Sequence, residues 1–306
     1  DVIFDDESKR LMCNQNVEYV NNTNIALDKI YFHIYPNAFS KKEFAPFEKD
    51  EMNQAYPNGF NEGYIDIKNV LNNNNKLEYE IKGEKNDLLE VKIGRQLKPG
   101  EKISIDMKYN VKIPNSEGRF GYGENTINVT NWFPIACVHD DRGWNLKSYE
   151  TLGDPFYSET SNFYVKLLIP RKYKVGCTGN IISEKSDSEK VLYEIQAKKV
   201  RDFAFILSDK FKIKKDTYKG VDINTYNLNE KLSTEVTKIA KDSISIFSDL
   251  FGEYPYDTYS VIASDFYIGG MEYPTLVMID QSLYNEKDKF LLEYVIAHET
   301  AHQWWY

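Results

Sequence analysis

Residues 290–306 read Phe290-Leu291-Leu292-Glu293-Tyr294-Val295-Ile296-Ala297-His298-Glu299-Thr300-Ala301-His302-Gln303-Trp304-Trp305-Tyr306. The stretch is apolar nearly all round, the pattern of a helix buried in a domain centre, and it predicts a helix from about Asp288 to the end of the chain. Two histidines stand four residues apart in it. On a helix such residues lie one above the other, so His298 and His302 can aim two imidazole nitrogens at one point. Zinc suits this clamp, because it binds neutral imidazole at about 2.0–2.1 Å in a tetrahedral shell that can keep a water. Glu299 is turned about 100° from His298 and would flank the ion without having to ligate it. There its carboxylate can take a proton from the metal-bound water and pass it to a leaving amine, the hydrolytic logic of His-Glu-x-x-His. The alternative is a chance match on a core helix. It leaves unexplained the cost of desolvating two histidines and a glutamate without a metal.

Upstream, Ile268-Gly269-Gly270-Met271-Glu272-Tyr273-Pro274 falls between predicted strands at 258–264 and 275–279. Taken alone, the glycine pair is a bulge or turn and Glu272 a solvated strand residue. Beside the histidine pair it means more. Glycines let a peptide backbone approach closely, and a fixed carboxylate can bind the α-ammonium of a substrate. Such an anchor measures one residue from the amino terminus and sets the first peptide bond over the water, as an exopeptidase requires. Before these strands, Leu232, Val236, Ile239, Ala240, Phe247 and Leu250 share one stripe, with Gly252 as a stop and Pro255 beyond, which predicts an amphipathic helix.

From Asn16 to about Ser208 the pattern is short strands between Asn, Gly and Pro turns, as in a β-sandwich. Ile30, Phe32 and Ile34 alternate with Tyr31 and His33, and Ile103, Ile105, Met107, Tyr109, Val111 and Ile113 alternate with polar neighbours. Each series predicts one buried and one wet face, with His33 on the less buried one. Further strands are expected at 63–70, 76–82, 88–93, 163–169, 191–196 and 202–207. The period changes from two to that of a helix past Ser208-Asp209-Lys210, so the expected organisation is two domains, 1–208 and 209–306. The fold class is therefore β-rich: a sandwich followed by an α+β part.

Lys and Arg number 38 against 47 Asp and Glu, a net charge of -9, and no basic cluster interleaved with aromatics offers phosphate contacts. This argues against a nucleic-acid partner. No apolar run approaches the length of a membrane span. Cys13, Cys137 and Cys177 are far apart, odd in number and free of any CxxC spacing, so they read as small buried hydrophobes. His139-Asp140-Asp141 reads as a polar loop, since three adjacent residues do not readily converge on one ion.

The two motifs, in this order and at this separation, resemble the aminopeptidase N-like (membrane alanyl aminopeptidase type) zinc metallopeptidases. These gluzincins carry the exopeptidase signature Gly-Ala-Met-Glu-Asn, matched here by Gly269-Gly270-Met271-Glu272-Tyr273. Asn131-Trp132-Phe133-Pro134, Gly143-Trp144, Gly153-Asp154-Pro155-Phe156-Tyr157-Ser158-Glu159 and Val200-Arg201-Asp202-Phe203-Ala204-Phe205 look like bacterial members, so the resemblance spans nearly the whole chain. It implies a saddle-like amino-terminal β-sandwich and the first part of a thermolysin-like catalytic domain. It also implies one Zn2+ ion on His298 and His302, Glu299 as general base, Glu272 as amine anchor, and Gly269, Gly270 and Met271 at the substrate. The implied substrate is a peptide, and the bacterial members imply an exported or cell-surface location. The signature's final Asn is Tyr273 here. By the same resemblance, the third zinc ligand is a glutamate roughly twenty residues past the second histidine, so it and a transition-state tyrosine are expected beyond residue 306. The 306-residue chain alone is then expected to be catalytically incompetent and to self-associate through Val295, Trp304 and Trp305. His-Glu-x-x-His alone also fits an endopeptidase or another hydrolase, and a peptide-binding relative without catalysis is the third alternative.

Overall fold

The computed structural model describes residues 1–153 and 156–305; Asp154, Pro155 and Tyr306 lie outside the described residues. The chain is rich in strands and separates into two compact units. One comprises Asp1–Asn53, Asn58–Asn115 and Asn131–Glu159; the other comprises Gln54–Pro57, Ser116–Thr130 and Thr160–Tyr306. The units therefore do not divide at residue 208. Ala204, Ile206 and Phe211 share one buried cluster with Tyr226, Ile262, Leu276 and Met278, so packing continues across the point where the sequence period changes.

In the first unit, strands Arg10–Val20, Lys102–Lys112 and Tyr64–Asn72 pair antiparallel in that order. Ile103, Ile105, Met107, Tyr109 and Val111 are all buried, as their alternation requires. A second sheet orders Ile135–Ala136, Leu27–His33, Leu88–Leu97 and Glu78–Lys82. His139 and Asp140 pair with Trp144 and Gly143 in a tight hairpin, and Arg142 engages Asp140. All three cysteines are buried free thiols, pushed up by desolvation, Cys177 to about 12.

In the second unit, strands Lys174–Cys177, Phe205–Ser208, Ile127–Val129 and Gly121–Tyr122 form one sheet. The carboxy-terminal part runs β1 (Lys212–Tyr218), β2 (Val221–Asn227), α1 (Ser233–Phe251), β3 (Thr258–Ser264), β4 (Gly270–Tyr273), β5 (Leu276–Asp280) and α2 (Lys289–Ala301). The sheet order is β1-β2-β3-β5-β4, with β2, β3 and β5 parallel and the outer pairs antiparallel. A parallel step needs a crossover, and α1 supplies it between β2 and β3.

Strand alternation divides the core between the two faces of this sheet. Tyr259, Val261, Ala263, Val277 and Ile279 pack with Val236, Ala240 and Ile244 of α1 and Leu292 and Ile296 of α2. Ile262, Leu276 and Met278 go to the other face. Burying each large aliphatic side chain contributes about 1.5–3 kcal/mol. Gly252 caps α1 at a φ of 113°, its N–H donating to Ser248 O, and Leu250 beside it faces outward, unlike the rest of its stripe. Among the described residues, no helix is long and apolar enough to cross a membrane.

His33 departs from expectation: it is 1% exposed, and its ring stacks on Tyr35 at 4.7 Å. Its Nδ1 has no hydrogen-bond partner. Burial pushes the imidazole from 6.5 down to about 4, against the opposing Asp87 carboxylate. The unfolded chain therefore binds the extra proton between these values, and stability falls as pH drops through them. Urea unfolding of the wild type should lose on the order of 2–3 kcal/mol relative to His33→Phe between pH 6.5 and 4; parallel pH dependences would contradict this.

Candidate active site

The site forms where α2 packs against β4, the open edge of the five-stranded sheet. Helix α2 turns Leu292, Ile296, Glu299 and Thr300 inward and leaves Phe290, Leu291 and Tyr294 exposed. It is therefore not enclosed on all sides as its composition predicts, and its α-helical hydrogen bonding ends at Ala301 rather than continuing to the last residue. Thr300 anchors the inner face. Its hydroxyl lies 2.6 Å from both the Tyr259 hydroxyl and the Ile296 carbonyl, so Thr300 Oγ1 donates along the helix and accepts from Tyr259 of β3.

His298 Nε2 and His302 Nε2 lie 3.4 Å apart, with the rings edge to face. Two imidazole nitrogens at ordinary zinc distances in a tetrahedral shell are about 3.3 Å apart, so the pair fits that ion without rearrangement. His302 Nδ1 is 2.8 Å from Trp305 O and 3.7 Å from Glu272 Oε1. A carbonyl only accepts, so the nearer contact places the proton on Nδ1 and leaves the Nε2 lone pair free for a metal. His298 is exposed beside Tyr294 and His302 is half-buried. The desolvation cost expected for three groups thus falls on Glu299 alone, which is 6% exposed.

Donor atoms of Glu272, Glu299 and His302 all lie within 4.8 Å of one another. Burial first, then the adjacent Glu272 carboxylate, pushes the Glu299 carboxyl up to about 8, while the Arg119 guanidinium pulls the other way. Glu299 approaches the strand closely because of Gly270: a Cβ there would stand 2.4 Å from Glu299 Oε1 and 2.6 Å from its Cδ. The alanine of the family signature would fit only after rotation of the Glu299 side chain. Gly269 has a φ of 99°, in the region that favours glycine, and turns the chain into β4. The Met271 side chain packs against the buried cluster of Phe266, Tyr273 and Met278, which leaves its backbone as the part near the site.

Several supporting residues carry no local sequence signal. Gln303 Oε1 accepts from Thr275 N at 2.9 Å and its Nε2 donates to Tyr273 O at 3.0 Å, tying the residues after α2 to the β4–β5 turn. Trp304 Nε1 donates to Gly252 O at 2.8 Å, and its ring meets Phe247 and Tyr254. Trp304 and Val295 thus pack against the core, and Trp305 alone of the three residues expected to be uncovered is exposed. The charge of Arg119, 180 residues upstream, acts on Glu299, an influence that only folding creates.

A sequence profile described as the Peptidase family M1 domain matches residues 235–305, the segment that holds α1, the glycine motif and the histidine pair. The chain is 35% identical over 112 residues to Aminopeptidase 2 of Candida albicans, an alignment covering 33% of this chain and 12% of that protein. Its fold is similar to the crystal structure of a two-domain M1 zinc metallopeptidase, a glutamate-to-alanine mutant bound to L-arginine, with a TM-score of 0.60 and 14% identity. That superposition covers 96% of this chain and 60% of the other, so the chain spans less than two thirds of either relative. The helix with His298, Glu299 and His302 and the carboxylate of Glu272 beside it thus lie within the segment that is similar to the Peptidase family M1 domain.

Proposed function

We propose that the whole protein is a zinc-dependent aminopeptidase that hydrolyses the amino-terminal peptide bond of peptides. The observation that carries this reading is the meeting of Glu272 and Glu299 with the paired histidines on the open edge of the sheet. His298 and His302 would hold the ion through Nε2. Zinc, when bound, supplies Lewis acidity and a water acidified towards neutrality.

Glu299 is the general base. Its burial disfavours the charged form and so makes the carboxylate a better proton acceptor, and the proton it takes is delivered to the leaving amine. Glu272, on the more open strand, binds the α-ammonium of the substrate by a charge-assisted hydrogen bond. The backbone of β4 supports this placement. Asp280 N donates to Gly269 O, so antiparallel alternation turns the N–H and C=O of Gly270 and Glu272 to the free edge. An extended peptide can add there as a further strand. Gln303 donates to the Tyr273 carbonyl and so ties the residues after α2 to the end of β4.

In the whole protein, Glu299→Gln should lower kcat on aminoacyl substrates by about a hundredfold or more with zinc retained. Undiminished turnover would rule out the role. Glu272→Gln should raise KM for peptides with a free amino terminus and leave amino-terminally blocked peptides unaffected; equal hydrolysis of both by the wild type would favour an endopeptidase.

We also propose that the 306-residue chain self-associates through the outer faces of α1 and α2. Leu250, Phe251, Phe290, Leu291, Tyr294 and Trp305 are exposed there, and the Phe251 and Trp305 rings lie 4.4 Å apart. Sedimentation should give a concentration-dependent mass that Phe290→Ser with Tyr294→Ser abolishes. A strict monomer at every concentration would overturn this.

A further inference from the structure

We infer that Asp265 is a positioning residue for the amine anchor, holding with its buried carboxylate the loop that delivers Gly269, Gly270 and Glu272; this rests on the aminopeptidase reading above. Residues 265–269 link β3, buried along its whole length, to the edge strand β4. A short link between a fixed strand and an open edge sets where the edge begins.

Asp265 is 4% exposed, and an ionised carboxylate is costly to bury without full compensation. Its compensation comes from neutral donors on two segments. Oδ2 accepts from the backbone N–H of Asn125 at 2.5 Å and of Thr126 at 3.0 Å. Oδ1 accepts from Asn125 Nδ2 at 2.8 Å and from Gln281 Nε2. The backbone is held too: Asp265 N donates to Thr126 Oγ1 at 2.9 Å, and Asn128 Nδ2 donates to Asp265 O at 2.9 Å. The approach is close enough that a Cβ on Gly123 would stand 2.4 Å from Oδ2.

The far end of the loop is held by the same turn. Asp280 N donates to Gly269 O at 2.7 Å, and the next residue, Gln281, reaches Asp265. Two consecutive residues therefore grip both ends of a five-residue loop. Between them, Phe266 is buried in the core and Tyr267 N donates to Glu117 O at 3.3 Å. The loop has little freedom left, and the positions of Gly270 beneath Glu299 and of Glu272 follow from it.

A purely structural Asp265 would affect stability alone; a positioning one acts through Glu272. The test uses the zinc-loaded whole protein. Asp265→Asn keeps the shape but turns an amide donor towards groups that are themselves donors. It should raise KM for an aminoacyl p-nitroanilide about tenfold with kcat within about twofold, as Glu272→Gln does. The double variant should be no worse than Glu272→Gln alone, because the two changes remove one interaction. Additive losses, or an unchanged KM with lowered melting temperature, would overturn the inference. If Glu272→Gln itself leaves KM unaltered, the aminopeptidase reading is what fails. Should Asp265→Asn not fold, Gln281→Leu removes one donor; it should raise KM in the same direction and speed amide hydrogen exchange over residues 266–272 but not over α1. Unchanged exchange there would equally overturn the inference.

Discussion

The site depends on one contact, a buried carboxylate laid against a glycine backbone. Glu299 lies close against β4 in its present rotamer because Gly270 has no side chain, and a Cβ there would make the glutamate turn aside. In this arrangement, Glu272 on the same face of β4 meets Glu299 and His302, and two acidic groups are brought where mutual repulsion raises the buried one. The apolar packing of Leu292 and Ile296 on the sheet opposes this electrostatic cost, so the core holds together groups that would otherwise separate. Positive charge brought near them, an ion on His298 and His302 or an ammonium at Glu272, would relieve the repulsion.

Much of this was legible in the sequence where periodicity speaks. The alternation of Ile103 through Val111 anticipates a strand found at Lys102–Lys112, and the stripe from Val236 to Phe247 anticipates α1 with its stop at Gly252. The four-residue spacing of His298 and His302 suffices to place both nitrogens together, because helical geometry is local. Signals failed where local pattern is weak or the environment decides. Strand Arg10–Val20 carries Asn14, Gln15 and Asn16 in its middle and does not read as a strand, yet it pairs with Lys102–Lys112 along its length. His33 alternates correctly but is covered on both sides. The end of α2 has neither glycine nor proline to announce it, and the helix stops at Ala301 where His302 and Gln303 turn to other partners.

The supporting groups were illegible for a different reason. Asp265 and Asn125 are 140 residues apart, and Arg119 and Glu299 farther still. Each has an unremarkable neighbourhood in sequence, and its role exists only once strands from distant segments have paired. The expected division at residue 208 shows the same limit. A change of period marks where secondary structure changes, whereas a compact unit is defined by contacts, and Phe211 and Ala204 share theirs on both sides of that point.

The hydrogen bond from His302 Nδ1 to the carbonyl of Trp305 ties the imidazole to the turn that follows α2. Because that carbonyl selects the tautomer, an ion held at Nε2, as proposed, would be coupled to the geometry of residues 302–305. Whatever fixes that segment, including the Trp304 bond to Gly252, would then strengthen the grip on the ion. Affinity at such a centre would thereby be tied to the packing of a tryptophan in the turn beyond the histidines.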